Sequence, residues 1–309
     1  MNTKILQNNS ENIKLVASTI KKGGIAAFFT ETVYGLGANA LNTDAIKKIY
    51  QIKGRPSDNP LIIHLDCVSK IKKYAHVTDI AKKVIDNFMP GAVTIVLNKK
   101  DIIPLEATGG LDSVAIRVVK SSLAKELIYE CGMPICAPSA NTSTRPSPTQ
   151  AQHVLDDLNG KIEYILDGGS CEIGLESSVL DCRGERVVLL RHGGVGIEEI
   201  EKIAGKVAEY KFDGGAALSP GQKYKHYSPK AKIVYFEHGD NKKLEELKKS
   251  SINHKVVMGL DADDYARQLF SIFRDADKDG IDVIICELAI EKGIGKAINN
   301  RIKKAAYGN

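Results

Sequence analysis

Residues 177–193 read SSVLDCRGERVVLLRHG. Two runs rich in Val and Leu, 177–181 and 186–191, are separated only by CRGE. That link is too short to hold a helix, so the two strands must be antiparallel neighbours. The surrounding chain alternates strand-like and helix-like segments, the mark of an α/β protein. Further strand-like runs lie at 25–29, 61–65, 93–97, 114–119, 134–138 and 162–166. Together with the antiparallel pair they predict one twisted mixed sheet of about seven strands, covered by helices, rather than a purely parallel doubly wound sheet. A first helix is expected over 11–22, with Ser10 as its cap and Ile13, Val16, Ala17 and Ile20 on its buried face. A second is expected over about 44–53, after a glycine-containing loop.

Residues 213–231, DGGAALSPGQKYKHYSPKA, break this alternation. They carry Gly and Pro turn signals without apolar periodicity, and so read as a linker. An idle tether would be rich in Gly and Ser or acidic. This one interleaves cations with aromatics at Lys223, Tyr224, Lys225, His226 and Tyr227. Beyond it, strand 232–237, helix 241–249, strand 255–260, helix 262–276, strand 281–288 and helix 293–306 read as β-α-β-α-β-α. Right-handed crossovers would make this a small three-layer, Rossmann-like parallel α/β unit. The expected division is a sheet domain over 1–212, a linker over 213–231 and the small domain over 232–309.

The chain has 309 residues, 43% hydrophobic and 26% charged, which excludes disorder as the main state. A net charge of +5 is compatible with an anionic partner such as a nucleotide or RNA, although ordinary solubilising charge is the simpler account. Cys67, Cys131, Cys136, Cys171, Cys182 and Cys286 form no C-x-x-C pair and mostly sit in apolar runs, as reduced core residues of a cytosolic protein would. The N-terminus MNTKILQNNSEN has no apolar signal core, and no run reaches the ~18 apolar residues of a membrane span, so a cytoplasmic protein without membrane contact is expected.

Polar residues collect in five places. TETVYGLGAN (30–39) sets the hydroxyls of Thr30, Thr32 and Tyr34 beside glycines, either as ligand contacts or as a plain turn, and lacks the dinucleotide pattern G-x-G-x-x-G. KGRPSDNPLIIH (53–64) puts Lys53 and Arg55 on a Gly-Pro loop, a plausible phosphate clamp without a P-loop signature. Its His64, inside an apolar strand, reads first as a satisfied core residue. APSANTSTRPSPT (137–149) is dense in neutral donors that suit phosphate oxygens or a nucleobase better than a metal, unless it is simply a surface loop. GLESSV (174–179) and LLRHG (189–193) complete the set. Arg191, and Arg117 in VAIRVV, emerge from apolar strands, where a cation needs an anion or water. That points to an anion bound above the sheet, or to an internal carboxylate such as Glu176. There is no G-x-S-x-G, H-E-x-x-H or zinc spacing. An inventory of Lys, Arg, Ser, Thr and Asn fits phosphoryl or nucleotidyl transfer, where catalysis is positioning plus charge stabilisation.

Taken in order, FFTETVYGLGA, KGRPSDNPLIIH, APSANTSTRPSPT, GLESSV, LLRHG and SPGQKYKHYSP resemble the successive motifs of the YrdC-type threonylcarbamoyl-AMP synthases, in the two-domain form with an extra C-terminal domain. The ending AINNRIKKAA is similar too. The resemblance implies a twisted mixed sheet around a large basic cavity. It implies an enzyme joining L-threonine, bicarbonate and ATP into L-threonylcarbamoyladenylate and pyrophosphate. Mg²⁺ would come with the ATP, and a downstream transferase would pass the threonylcarbamoyl group to tRNA; weak RNA binding is compatible with the charge.

By the same resemblance, Lys53 and Arg55 match a K-x-R pair that carries catalysis, and with Ser139 and Asn141 of an S-x-N pair would hold ATP. Asn59, Ser113, Ser147 and Arg191 match further nucleotide contacts, and Tyr227 a flap over the nucleotide. Thr32, His64, Arg117, Ala137 and Ser177 match a threonine pocket, with Arg117 on the amino-acid carboxylate; no metal ligands are implied. Phe29, NTSTR, LRHG, Ser178 and SPGQ depart from the usual motif residues, but none removes a charged or hydroxyl ligand. Two alternatives remain: a non-catalytic RNA-binding or regulatory protein that keeps the cavity, and carbamoyl-adenylate chemistry on another acceptor, as in hydrogenase-maturation relatives, whose acylphosphatase-like and zinc-finger segments this chain lacks.

Overall fold

The computed structural model of the chain describes residues 2–210, 214–215, 217–219 and 226–307. Lys223, Tyr224, Lys225 and most of the SPGQ run therefore lie outside the described residues, whereas His226 and Tyr227 lie within them. The strands are β1 (Lys4–Gln7), β2 (Ala26–Phe28), β3 (Gly35–Asn39), β4 (Ile62–Leu65), β5 (Ala75–His76), β6 (Val93–Lys99), β7 (Ser113–Val118), β8 (Ile135–Cys136), β9 (Tyr164–Asp167), β10 (Ser178–Asp181), β11 (Val188–Arg191) and β12 (Ala208–Glu209). They form one sheet in the order β1-β9-β2-β3-β8-β4-β7-β6-β10-β11-β12, with β5 on the end of β6. β10 and β11 are antiparallel across the CRGE turn, as their short link requires. β4–β7 and β6–β10 are parallel, while β2–β3, β3–β8, β4–β8 and β6–β7 are antiparallel. The sheet is mixed, as the sequence predicts, but has twelve strands among the described residues rather than about seven.

The additional strand that matters most is β3, because GLGAN reads from sequence as a loop. Gly is depleted in strands, so local preference argues against one here. Its glycines are answers to packing instead. A Cβ on Gly37 would stand 2.7 Å from the Phe28 ring, which lies across it from β2. The first helix runs Ser10–Lys21, and its cap is Asn9, not Ser10: the Asn9 side chain accepts the Asn12 N–H at 2.9 Å. Both residue types cap well, so composition alone does not separate them. Ile13, Val16, Ala17 and Ile20 are buried as the periodicity requires.

In the C-terminal region, β13 (Lys232–Phe236), β14 (His254–Val257) and β15 (Val283–Glu287) pair in parallel in the order β13-β15-β14. The helices Asn241–Lys249, Ala262–Lys278 and Gly295–Ala306 accompany them, close to the expected bounds. The large sheet and its helices enclose the main apolar core, and Ile62, Val96, Ala115, Val179 and Leu190 form a smaller one. Another core joins the two parts: Val33 and Leu175 pack with Tyr227, Phe270 and Phe273. A buried ion pair crosses the same seam, with Arg274 donating to both carboxylate oxygens of Asp157 at 3.2 and 2.9 Å. Five of the six cysteines are buried, Cys67 is half-buried, and none is paired. Among the described residues, no helix is long and apolar enough to cross a membrane.

Gly193 shows how tightly the strands near β10 are locked. A Cβ there would collide with the backbone of Glu176, Ser177 and Ser178. Gly193→Ala should therefore cost about 1–3 kcal/mol of stability, typical of overpacking. Gly184→Ala, in open space, should not. Urea midpoints of the two variants measure the contrast.

Candidate active site

Above the middle of the large sheet lies a cleft walled mainly by polar and charged side chains. Each part of its wall is a short segment at the end of an element. The loop between β2 and β3 brings Thr30, Thr32 and Val33. Helix Thr43–Lys53 ends at Gly54 in the left-handed conformation (φ +61°), which turns the chain so that Lys53 and Arg55 both reach the cavity. His64 of β4 and Arg117 of β7 are register partners. The loop after β8 supplies Ala137, Ser139, Asn141, Arg145 and Ser147. Glu176 and Ser177 precede β10, and Arg191 ends β11. His226 and Tyr227 close one side.

Lys53 is the most constrained of these groups. Its side chain is 2% exposed, and Nζ donates to the carbonyls of Ser139 and Asn141. In return its own carbonyl accepts the Ser143 N–H at 2.9 Å. Ser139 Oγ donates to Asn141 Oδ1 at 2.6 Å, so the K-x-R and S-x-N segments form one hydrogen-bonded unit. Burial, reinforced by the Arg55 charge, holds the Lys53 ammonium well below its usual pKa. Arg55 is anchored by the carbonyls of Asn59 and Pro60 at 3.2 and 3.0 Å. Burial lowers it to about 10, so it stays a cation at neutral pH. Arg191 grips the Ser177 carbonyl at 2.8 Å, and Ser177 Oγ bonds Thr94 at 2.7 Å.

Arg117 already has an internal carboxylate, and it is Glu31 rather than Glu176. The two form a buried ion pair at 2.7 Å. Arg117 also donates to Thr32 Oγ1 at 2.7 Å and to the Gly91 carbonyl at 3.0 Å. Burial pushes the Glu31 carboxyl up, but Arg117 and the Lys120 backbone N–H outweigh it and hold the pKa at about 2. Glu176 is met instead by Arg301 from the C-terminal helix, at 3.0 Å.

Twelve of the fourteen residues singled out from sequence line the cavity: Thr32, Lys53, Arg55, His64, Arg117, Ala137, Ser139, Asn141, Ser147, Ser177, Arg191 and Tyr227. Asn59 and Ser113 are buried off its wall. Asn59 reaches the site only through Arg55, while Ser113 starts β7 opposite Asn98. Sequence reasoning passed over Glu31 and Arg301 as contributors. Glu31 carried a signal, an acid inside an otherwise uncharged FFTETVYGLGA; Arg301 lies in the family-like ending AINNRIKKAA, but its partner, 125 positions away, is not readable from sequence. Among the described residues, no three His, Cys, Asp or Glu side chains cluster to hold a metal ion.

Residues 18–193 match the Sua5/YciO/YrdC family model, described as telomere recombination, and residues 195–307 match the model described as threonylcarbamoyl-AMP synthase, C-terminal domain. The threonylcarbamoyl-AMP synthase of Pyrococcus abyssi is 42% identical over 95% of this chain and 94% of its own length. That of Bacillus subtilis is 40% identical over 98% and 95%. The chain belongs to the threonylcarbamoyl-AMP synthase family. Its fold follows: the crystal structure of P. abyssi Sua5 complexed with L-threonine superposes with a TM-score of 0.94 at 41% identity, covering 99% of this chain and 98% of that one.

His64 makes the cavity acid-sensitive. Burial first, then the Arg117 charge, lowers its pKa to about 3, so the folded protein holds it neutral. The unfolded chain takes up the proton first, near the ordinary value of about 6.5. Stability therefore falls as pH drops below about 6.5, by up to ~1.4 kcal/mol per pH unit from this group. His64→Gln should flatten that slope, which urea unfolding at a series of pH values measures.

Proposed function

We propose that this cavity makes L-threonylcarbamoyladenylate from L-threonine, bicarbonate and MgATP, releasing pyrophosphate. The observation that carries the reading is electrostatic. Lys53, Arg55, Arg117, Arg145 and Arg191 converge on a wall where, among the described residues, Glu176 is the lone carboxylate. Glu31 and Asp277 answer Arg117 and Arg145, but the remaining excess of cations favours a bound anion, and a triphosphate is the anion that suits it. The interlocked Lys53, Ser139 and Asn141 supply neutral and cationic donors beside it. The P. abyssi relative binds L-threonine, and the pocket of Thr32, His64, Arg117, Ala137 and Ser177 is the counterpart here.

In this reading the threonine amine attacks CO2, released from bicarbonate, to give a carbamate. A carbamate oxygen then attacks the α-phosphorus, the bond to the β-phosphate oxygen breaks, and pyrophosphate leaves. Carbamates decompose in water, so an enclosed site protects the intermediate. Lys53 and Arg55 offset the charge that develops on the phosphates. Mg²⁺ enters as part of the nucleotide, bound mainly by triphosphate oxygens, since the wall carboxylate is already held by Ser147 and Arg301. The product is a reactive mixed anhydride, suited to a transferase that modifies tRNA.

The test is pyrophosphate release with and without L-threonine and bicarbonate. Release that needs both supports the reading; ATP binding with no threonine-dependent release would point to a regulatory protein instead. Lys53→Ala should keep the sheet intact by circular dichroism, yet lose about 10²–10³ in rate, the typical effect of removing one stabilising donor. Near-normal turnover would remove Lys53 from its role.

A further inference from the structure

Arg301 is the largest fully buried side chain described in the molecule, at 0% exposure, and it does not touch the cavity. It comes from helix Gly295–Ala306, yet it reaches Glu176 and Tyr227 of the cavity wall. Nε donates to Glu176 Oε2 at 3.0 Å, and NH2 to the His192 carbonyl, next to Arg191, at 3.0 Å. The guanidinium carbon stands 5.0 Å from the centroid of the Tyr227 ring, in cation–π geometry. The same ring stacks on Phe270, with centroids 5.5 Å apart. Glu176 in turn accepts the Ser147 hydroxyl at 2.5 Å.

We propose that Arg301 is a positioning residue for the nucleotide: it fixes Glu176, and through it Ser147, while clamping Tyr227 against Phe270, so that the C-terminal domain completes one wall of the active site. This rests on the reading above. A guanidinium with no polar task is a poor filler, because apolar side chains of similar volume often serve a core as well or better. Here every polar bond it makes outside its own helix goes to the Glu176 and His192 segments. The relay also sets the polarity of Ser147. With its proton committed to Glu176, Ser147 Oγ offers lone pairs to the cavity and accepts from a hydroxyl or amino group of the nucleoside rather than donating to phosphate.

Burial would raise the Glu176 carboxyl, but Arg301 above all, then Arg191 and the Ser147 hydroxyl, keep it below the usual range. Lys304 of the same helix, His226 and Tyr227 also face it. Without Arg301, burial gains ground, and Glu176 takes up a proton as pH falls.

The experiment uses the full chain with Arg301→Met and Arg301→Lys. For Arg301→Met, the KM for ATP should rise about tenfold to a hundredfold, the worth of one charged hydrogen bond, while the KM for L-threonine stays within about twofold. Its kcat/KM for ATP should also gain an acid limb, absent from the parent, as Glu176 takes up a proton. Arg301→Lys keeps the charge facing Glu176, so it should lack the acid limb and show a smaller defect, still confined to ATP. Equal rises in both KM values, or parameters and pH profiles matching the parent, overturn the proposal. If Arg301→Met does not fold, the ATP-selective defect of Arg301→Lys decides alone. If the parent releases no threonine-dependent pyrophosphate, the catalytic reading falls, and calorimetric ATP affinities of the variants still test the clamp.

Discussion

A buried cation has to be answered by something, and the cavity is built around that requirement. Lys53 is nearly sealed from solvent, and its ammonium meets the carbonyls of Ser139 and Asn141. Those carbonyls are available only because the loop after β8 runs over the end of helix Thr43–Lys53, pinned by the Ser143 N–H on the Lys53 carbonyl. The same rule places Arg117 against Glu31 and Arg301 against Glu176. Taking a guanidinium out of water costs several kcal/mol unless its hydrogen bonds are remade. Each pairing therefore fixes two chain segments at once, and together they shape the wall before any ligand arrives.

The pairings also sort the cations by task. Glu31 neutralises Arg117 and orients it through Thr32, leaving a polar but locally balanced corner. Lys53 and Arg55 donate to backbone carbonyls, which are partial charges only, and Asp157 and Asp58 offset part of their charge from nearby. Within one cavity, the balanced corner suits a zwitterionic amino acid, and the partly balanced one suits a polyanion. The two corners adjoin in the same cavity.

The alternation of strands and helices was legible because it is local, and so was the hairpin that makes the sheet mixed. The small C-terminal sheet was legible too, since each of its β-α steps carries its own apolar period. What local pattern missed was set by contacts across the chain. β3 is glycine-rich and reads as a turn until Phe28 is seen lying on Gly37. The cap of the first helix fell between Asn9 and Ser10, two good capping types in succession. Asn59 and Ser113 matched motif positions and are buried, without lining the cavity themselves. Arg301 lies in a helix whose charged residues look like an ordinary solvated face, and only folding shows it turned onto Glu176.

The segment beginning at His226 shows why the C-terminal domain cannot be a passive appendage. Ser228 N–H bonds the Thr144 carbonyl at 2.8 Å, on the loop that holds Lys53. One oxygen of Asp277 accepts the Lys230 and Ala231 N–H groups at 2.7 and 3.1 Å, and the other takes Arg145 of that same loop at 3.2 Å. Tyr227 sits between these anchors at a positive φ of 65°, a backbone state that a tyrosine keeps only when its surroundings demand it. Phe270, stacked on the ring, and Arg301, in cation–π contact with it, make that demand. One wall of the cavity is thus set by helices Ala262–Lys278 and Gly295–Ala306. A change that loosens the packing of those helices reaches the cavity wall through Tyr227 and Glu176, while the Thr32–Arg117 corner is anchored within the large sheet.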